Sequence, residues 1–116
     1  MRSPAQAARA PLPVELSVDL DDRPAEPLEA AAYFLVAEAL TNVARYASAR
    51  TAAVIVRREA GDVLVEVIDD GSGGADPDAG TGLRGLIDRV EALGGRLEVQ
   101  SPIDRGTTVR ARLPEI

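Results

Sequence analysis

The stretch "IDDGSGGADPDAGTGLRGL", residues 68–86, holds six of the ten glycines of the chain and four of its aspartates. It follows an apolar run and leads into a segment with helical spacing of its apolar residues. So much glycine in one place indicates either a solvated linker or a backbone that must adopt unusual geometry. The residues on both sides of the stretch decide between these two interpretations.

Hydrophobic spacing on both sides predicts a strand, a helix, two strands, a second helix and two more strands. The first strand, "VELSVDL", alternates Val14, Leu16 and Val18 with polar residues, as a half-buried strand does. The first helix is expected from about Leu28 to Ala47 on an Ala-rich amphipathic pattern. The remaining elements are the strands 52–59 and 63–69 joined like a hairpin at 60–62, a helix over 83–93, and the strands 96–101 and 107–113.

This order of elements predicts the α+β class: a two-layer α/β sandwich whose mixed sheet carries its helices on one face. A length of 116 residues is enough for one core and not for two. We therefore expect a single domain over residues 12–116, preceded by a flexible Ala- and Pro-rich lead-in over residues 1–11.

Composition excludes several kinds of chemistry. The chain has no Cys, His or Lys, which removes Ser-His-Asp and Cys-His catalysis, thiolate or imidazole zinc sites and the lysine of a P-loop. The net charge of -6 argues against nucleic acid as a partner, and no apolar run is long enough to span a membrane. An anionic ligand would have to be held by a metal, by backbone N–H groups or by a few arginines.

Four polar residues of the first helix, Glu38, Asn42, Arg45 and Tyr46, fall on one stripe beside its apolar face. Glu38 or Arg45 alone would more often be an ordinary solvated helix edge. Asn42 is less ordinary, because Asn is a poor residue for a helix interior. The stripe therefore predicts a ligand pocket at the rim of the contact between helix and sheet.

Two aspartates end the strand that leads into the glycine-rich stretch. By alternation, Asp69 points to the buried side with Val63, Val65 and Val67, where a carboxylate needs a hydrogen-bond donor. We interpret Asp69 as facing a ligand, while Asp70 is expected to cap its own turn. After the stretch, the glycines before the second helix would let backbone N–H groups converge on a phosphate, although a flexible connection alone explains such a pattern as well.

Together these segments resemble a known family. "EALTNVARYA" (38–47) looks like the asparagine box, "DDGSGG" (69–74) the first glycine box and "GTGLRGL" (80–86) the second glycine box of the Bergerat-type ATP-binding domain of histidine kinases. The match runs in order over nearly the whole chain. "GLIDRVEALGGRLEVQS" (85–101) and "GTTVRARLP" (106–114) look most like the nitrate-sensor-type branch of bacterial sensor kinases.

The resemblance implies a role for each matching residue. Asp69 would accept the adenine amino group, with Thr107 helping through a water molecule. Asn42 would coordinate the Mg²⁺ that bridges the phosphates, and Glu38 would orient or activate the phosphoryl acceptor. Contacts to phosphate or ribose would come from Arg45 and Tyr46. Nucleotide contacts and the shape of the pocket and lid would come from Gly71, Gly73, Gly80, Thr81, Gly82, Leu83, Arg84 and Gly85, with Ala75 to Ala79 as a mobile lid.

Two features depart from the family pattern. The phenylalanine box of the larger kinase branches is missing, since the single Phe, Phe34, falls on the first helix. The family phosphorylates a histidine on a separate dimerisation domain, and this chain has no histidine.

We therefore expect the ATP- and Mg²⁺-binding catalytic domain of a cytoplasmic or membrane-attached sensor histidine kinase, which does not phosphorylate itself alone. Its partners would be ATP or ADP, a histidine-bearing dimerisation domain and a response regulator. The alternatives are an anti-sigma-factor serine kinase, which acts in trans on a protein serine, and a non-catalytic nucleotide-sensing interaction module.

Overall fold

The computed structural model describes residues 13–76 and 82–115 of the chain. The predicted lead-in over residues 1–11 lies outside this part. The elements in chain order are β1 (Val14–Asp19), α1 (Glu26–Asn42), a π-helical turn (Val43–Ala47), β2 (Ala52–Glu59), β3 (Asp62–Asp69), α2 (Leu83–Ala92), β4 (Arg96–Gln100) and β5 (Thr107–Pro114). Every element that hydrophobic spacing predicts is present and in the predicted order.

The five strands form one mixed sheet in the order β1-β2-β3-β5-β4. β1 runs parallel to β2, and all other neighbours are antiparallel. Both helices contribute to a single core on one face of this sheet, which confirms the predicted two-layer α+β sandwich. The core residues are Ala31, Leu35, Ala39, Val54, Val63, Val65, Val67, Leu83, Leu86, Val90, Val109, Ala111 and Leu113.

The first helix begins at Glu26, two residues before the predicted start at Leu28. Pro27 occupies the first turn, where its missing N–H costs no hydrogen bond, and the carboxylates of Glu26 and Glu29 favour the positive end of the helix dipole. The regular helix ends at Asn42 and continues as the π-helical turn. The two helices are further linked by the Arg89 guanidinium, which stacks 3.9 Å above the centre of the Phe34 ring.

The predicted half-burial of β1 is wrong. Val14, Leu16 and Val18 are 42%, 66% and 56% exposed, although the strand itself forms. The register pairs Leu16 with the buried Val54, so the apolar side of β1 faces the same way as the core. It stays exposed because β1 is the edge strand of the sheet and the two helices pack over the strands beyond it. Alternation in the sequence gives the face of a strand but not the extent of the layer that covers it.

This difference gives a matched pair of stability predictions. Leu35→Ala removes a side chain that is 1% exposed at the centre of the core, and we expect the free energy of unfolding to fall by about 2–5 kcal/mol. Leu16→Ala removes the same atoms from a side chain that is 66% exposed, and we expect a loss below about 1 kcal/mol. Urea unfolding followed by circular dichroism measures both. Equal losses in the two variants would show that β1 is covered in solution.

Among the described residues, no helix has the length and apolar character that a membrane span needs.

Candidate functional site

The fold brings the end of α1, the end of β3 and the start of α2 to the same end of the molecule. Ala52, the first residue of β2, pairs with Asp69, the last residue of β3. The end of α1 packs at this same place, because Val43 and Ala52 share a small apolar cluster with Leu40. Three segments that are distant in the sequence therefore meet here, and each carries residues that the sequence assigned to a ligand.

Asp69 lies where it was predicted to lie, on the buried side of the last position of β3, and is 6% exposed. The Gly71 N–H donates to its Oδ1 at 2.7 Å. Burial raises the pKa of the Asp69 carboxyl above its ordinary value, the N–H groups of Gly71 and Thr107 lower it, and the neighbouring charge of Asp70 raises it. A desolvated carboxylate with no cationic partner among the described residues is poised to accept a hydrogen bond from a ligand.

Asp70 is structural, as expected, but it does not cap its own turn. Its Oδ1 accepts the N–H groups of Arg50 at 2.8 Å and Thr51 at 3.0 Å, at the residues that lead into β2. The N–H groups of Thr51 and Arg50 hold the pKa of the Asp70 carboxyl below its ordinary value. The side chain thus fixes the entrance of β2 to the end of β3, a long-range contact that residue spacing alone does not reveal.

Because the folded state lowers the pKa of Asp70, its ionised form stabilises the fold above the unfolded pKa of about 3.9, and this stabilisation is lost as the pH falls through the folded value. We expect Asp70→Ala to lower the melting temperature at pH 7 and to differ less from the parent below about pH 4. Asp21→Ala, at an exposed aspartate, is the control and should leave the melting temperature nearly unchanged. A difference from the parent that is the same at both pH values would contradict this role.

Glu38 faces the start of α2. Its Oε2 lies 3.5 Å from the position that a Cβ would take at Gly82, the left-handed residue (φ 84°) immediately before that helix. The first N–H groups of α2 have no partners within the helix, and the helix dipole is positive at this end. The half-buried Glu38 carboxylate therefore lies beside a potential anion site. This position suits a side chain that acts on the molecule to which a bound phosphoryl group is transferred.

Asn42, the last residue of α1, has a side-chain donor without a hydrogen-bond partner among the described residues. This donor is the Nδ2, which is buried. A buried amide donor without an acceptor costs free energy. Its presence here therefore points to a ligand that supplies the acceptor. Arg45 follows in the π-helical turn with an exposed side chain. Tyr46 lies in the same turn, a type of backbone irregularity that is frequent at functional sites.

The glycine-rich stretch is tied to the turn between β4 and β5. The Gly74 N–H donates to the Ser101 carbonyl at 2.7 Å, and the Asp104 N–H donates to the Ser72 carbonyl at 2.6 Å. A Cβ at Gly73 would collide with the Pro102 carbonyl oxygen. Gly73, expected to shape the nucleotide pocket, is thus required by the packing of one loop against another.

The mobile lid was expected to begin at Ala75, but the Ala75 N–H donates to the Ser101 Oγ at 2.8 Å. This first residue of the expected lid is therefore held to the β4–β5 turn. The rest of the expected lid from residue 77 onward, with Gly80 and Thr81, lies outside the described residues.

The other predicted residues of the second glycine box have different surroundings. The Leu83 side chain is buried in the core, so it anchors the start of α2, and only its backbone N–H can serve a ligand. Arg84 is exposed. Gly85 is also exposed, and no atom lies within 4 Å of the position of a Cβ there, so packing does not require glycine. Thr107 begins β5 directly opposite Asp69, which is the neighbour that its expected role requires.

A cavity of about 440 Å³ lies at this end of β1, β2 and β3. Asp69 and Asp70 line it together with residues of both faces of the strands, among them Ala52 on the core side and Ala53 on the other. Glu38 and Asn42 are not among its lining residues, so the cavity adjoins the Asp69 wall of the predicted site and does not include the polar stripe of α1.

Sequence reasoning missed two residues of the site, Ser101 and Gly106. The Ser101 Oγ lies 2.6 Å from the Thr107 Oγ1. A Cβ at Gly106 would collide with the Asp69 carbonyl oxygen, so only glycine lets β5 start beside Asp69. The position of Gly106 directly before Thr107 was a usable signal. Nothing in the spacing of Ser101 indicated its contact.

The fold is a five-stranded mixed sheet with two helices on one face. The site adds a buried carboxylate at the end of a central strand and a glycine-rich connection to the start of a helix. Together these features define a nucleotide-binding class of domain. The chain belongs to the family of histidine kinase-, DNA gyrase B- and HSP90-like ATPases, whose model matches residues 28–116. Family membership places it among ATP-binding domains and confirms the resemblance drawn from the three sequence boxes.

Within this family, two proteins that are similar to the chain are sensor histidine kinases. The chain is 35% identical over 91 residues to the oxygen sensor histidine kinase NreB of Staphylococcus carnosus, covering 75% of this chain and 26% of the relative. It is 33% identical over 82 residues to the sensor histidine kinase YxjM of Bacillus subtilis, covering 71% of this chain and 20% of the relative. The chain thus spans about a quarter or less of the length of these relatives.

Solved structures of histidine kinases are also similar to the chain. The histidine kinase domain of the blue-light activated histidine kinase of Erythrobacter litoralis superposes with a TM-score of 0.67 at 28% identity, covering 95% of this chain and 55% of that one. The histidine kinase AdeS of Acinetobacter baumannii gives the same TM-score at 17% identity, covering 96% and 59%, which shows a shared fold.

Proposed function

We propose that this chain is the ATP-binding catalytic domain of a sensor histidine kinase and transfers the γ-phosphoryl group of ATP to a histidine on a dimerisation domain. The observation that carries the proposal is the buried Asp69 carboxylate at the end of β3, placed at the same end of the fold as Glu38 and the start of α2. The two relatives described above are sensor histidine kinases, which favours this function over a serine kinase or a module without transfer activity.

The proposed binding mode follows from the donors and acceptors of the site. Asp69 accepts the adenine amino group, and Thr107 assists at the same end. The first N–H groups of α2, which have no partners within the helix, would face the phosphates, with Arg45 and Arg84 as candidate positive charges. The rest of the chain carries a net negative charge, so the site needs this local positive potential to hold a triphosphate.

We propose that a Mg²⁺ ion would be shared between the protein and the phosphates. The described residues contain no group of three acidic, His or Cys side chains, so a cage made by the protein alone is not available among them. Asn42 supplies an amide oxygen, a ligand type that Mg²⁺ prefers. Its Nδ2, which has no partner among the described residues, is a donor and would meet a phosphate oxygen and not the metal. We propose that Asn42 and the phosphates would hold the ion, which would neutralise phosphate charge.

Glu38 acts on the acceptor in this proposal. A histidine nitrogen of the dimerisation domain attacks the γ-phosphorus, the bond to the bridging oxygen of ADP breaks, and ADP leaves. Glu38 accepts a hydrogen bond from the acceptor imidazole and orients it, which is the task that positioning requires in phosphoryl transfer. The phosphohistidine would then supply a response regulator in the cytoplasm.

The test is to incubate the chain with γ-labelled ATP and Mg²⁺, alone and with a matching helical dimerisation domain that carries a histidine, supplied in cis or in trans. We expect no phosphohistidine from the chain alone, because its sequence has no histidine. Addition of the dimerisation domain should give acid-labile phosphate on that domain. Acid-stable phosphate on a serine of the partner would support the serine kinase instead, and ATP binding without any transfer would support the nucleotide-sensing module.

A further inference from the structure

Three hydrogen bonds converge on Ser101, in the turn between β4 and β5. The Ser101 Oγ lies 2.6 Å from the Thr107 Oγ1 and accepts the Ala75 N–H at 2.8 Å. The Ser101 carbonyl accepts the Gly74 N–H at 2.7 Å. One half-buried residue therefore contacts both the start of β5 and the glycine-rich stretch after β3.

The hydroxyl of a serine has one proton to donate and two lone pairs that accept. At Ser101 one lone pair accepts the Ala75 N–H, and the second lone pair and the proton remain, so either hydroxyl of the Ser101–Thr107 pair can donate to the other. In either direction the bond fixes the orientation of the Thr107 hydroxyl, which keeps a proton or lone pairs for a ligand. Since Thr107 pairs with Asp69 in the sheet, this bond sets the orientation of the hydroxyl that stands beside the Asp69 carboxylate.

We propose that Ser101 is a positioning residue for the nucleotide: it orients the Thr107 hydroxyl at the adenine end and, with the same Oγ, holds the glycine-rich stretch at Ala75. The proposal rests on the proposed function, because it assigns Ser101 to the adenine end of that ATP site. Through Ser101, the start of β5 and the glycine-rich stretch after β3 would form a single hydrogen-bonded unit at the adenine end.

Loss of the Ser101 hydroxyl should leave the loop in place. The Asp104 N–H still donates to the Ser72 carbonyl at 2.6 Å, and Gly73 still packs against the Pro102 carbonyl. The Gly74 N–H still reaches the Ser101 backbone carbonyl. Ser101→Ala therefore removes the bonds to Thr107 and Ala75 and is expected to fold.

The experiment compares the parent, Ser101→Ala and Ser101→Thr by calorimetry with ATP and with GTP in Mg²⁺, and by amide exchange without nucleotide. Ser72→Ala is the matched control, because the Ser72 hydroxyl is exposed and the loop uses only its carbonyl. We expect Ser101→Ala to bind ATP about three- to tenfold more weakly, to discriminate less against GTP and to exchange the Ala75 amide faster. Ser101→Thr, which keeps the hydroxyl, and Ser72→Ala should both stay near the parent.

A double-mutant cycle separates this role from a general structural one. Ser101→Ala and Thr107→Val each break the same hydroxyl pair, so their combined loss of ATP affinity should be smaller than the product of the single losses. Independent effects of the two changes would overturn the inference. So would a Ser101→Ala protein whose ATP affinity and Ala75 amide exchange are unchanged. In either case, ATP binding by the parent would still support the proposed function. If Ser101→Ala failed to fold, rapid exchange of the Ala75 amide in the parent would overturn the inference, and protection there would support it.

Discussion

Asp69→Asn is expected to weaken ATP binding by about 10- to 100-fold, the effect of losing a charge-assisted hydrogen bond in a desolvated site. The Gly71 N–H already occupies the Asp69 Oδ1, so an asparagine that keeps this bond turns its NH₂ toward the base. The adenine amino group would then meet a second donor. Guanine carries an acceptor at the same place, so the ratio of GTP to ATP affinity should rise. Calorimetric titration with both nucleotides measures this ratio.

The same change should not destabilise the free protein. Burial raises the pKa of Asp69, so its ionisation costs stability as the pH rises from the unfolded value of about 3.9 to the folded value, and asparagine avoids that cost. Asp70→Asn is the control at the adjacent aspartate: it should keep the preference for ATP and lose stability at pH 7, because the folded state lowers the pKa of Asp70. A large loss of stability in Asp69→Asn with the ATP preference intact would assign Asp69 to the fold and not to the ligand.

Glu38→Gln should slow phosphoryl transfer to a supplied dimerisation domain by about 10²- to 10⁴-fold, the usual range for a positioned carboxylate that handles the proton of a reacting group. ATP affinity should change little, because the proposed contact of Glu38 is with the acceptor. The glutamine keeps the size of the side chain beside Gly82 and removes its charge. Single-turnover transfer from labelled ATP measures the rate, and calorimetry measures the affinity.

Two variants set the limits of this prediction. Glu91→Gln changes an exposed glutamate of α2 and should leave both transfer and binding unchanged. Asn42→Asp should lower both, since Asn42 is assigned to the Mg²⁺ and phosphates. A Glu38→Gln protein that no longer binds ATP, or one that transfers at the parent rate, would contradict the division of labour between Glu38 and Asn42.

The sequence predicted the fold well because the core follows simple periodicities. β3 alternates Val63, Val65 and Val67 toward the helices, and α2 repeats Leu83, Leu86 and Val90 at helical spacing, and all six are buried. The predicted start of α1 differs from the observed one, because the first turn, which holds Pro27, precedes the first residue of the apolar stripe. Burial of β1 could not be predicted, since it depends on where the helices end across the sheet.

At the candidate site, sequence order supplied the residues but not their contacts. Asp69 was identified from alternation alone, and its burial and hydrogen bond agree with that interpretation. The contacts of Asp70 with Arg50 and Thr51, and of Ser101 with Ala75, could not be assigned, because these partners lie 19 to 26 residues away along the chain. Such contacts depend on the register of strands and the meeting of loops, which no local pattern encodes.

The measurement that tests the central claim most directly is titration of the unaltered chain with ATP and GTP in the presence of Mg²⁺. A domain whose adenine end is built on the buried Asp69 carboxylate should bind ATP and reject GTP, because guanine presents an oxygen where adenine presents an amino group. We expect saturable ATP binding with a single site and at least about tenfold weaker binding of GTP. Equal affinity for the two nucleotides, or no binding of either, would contradict the account.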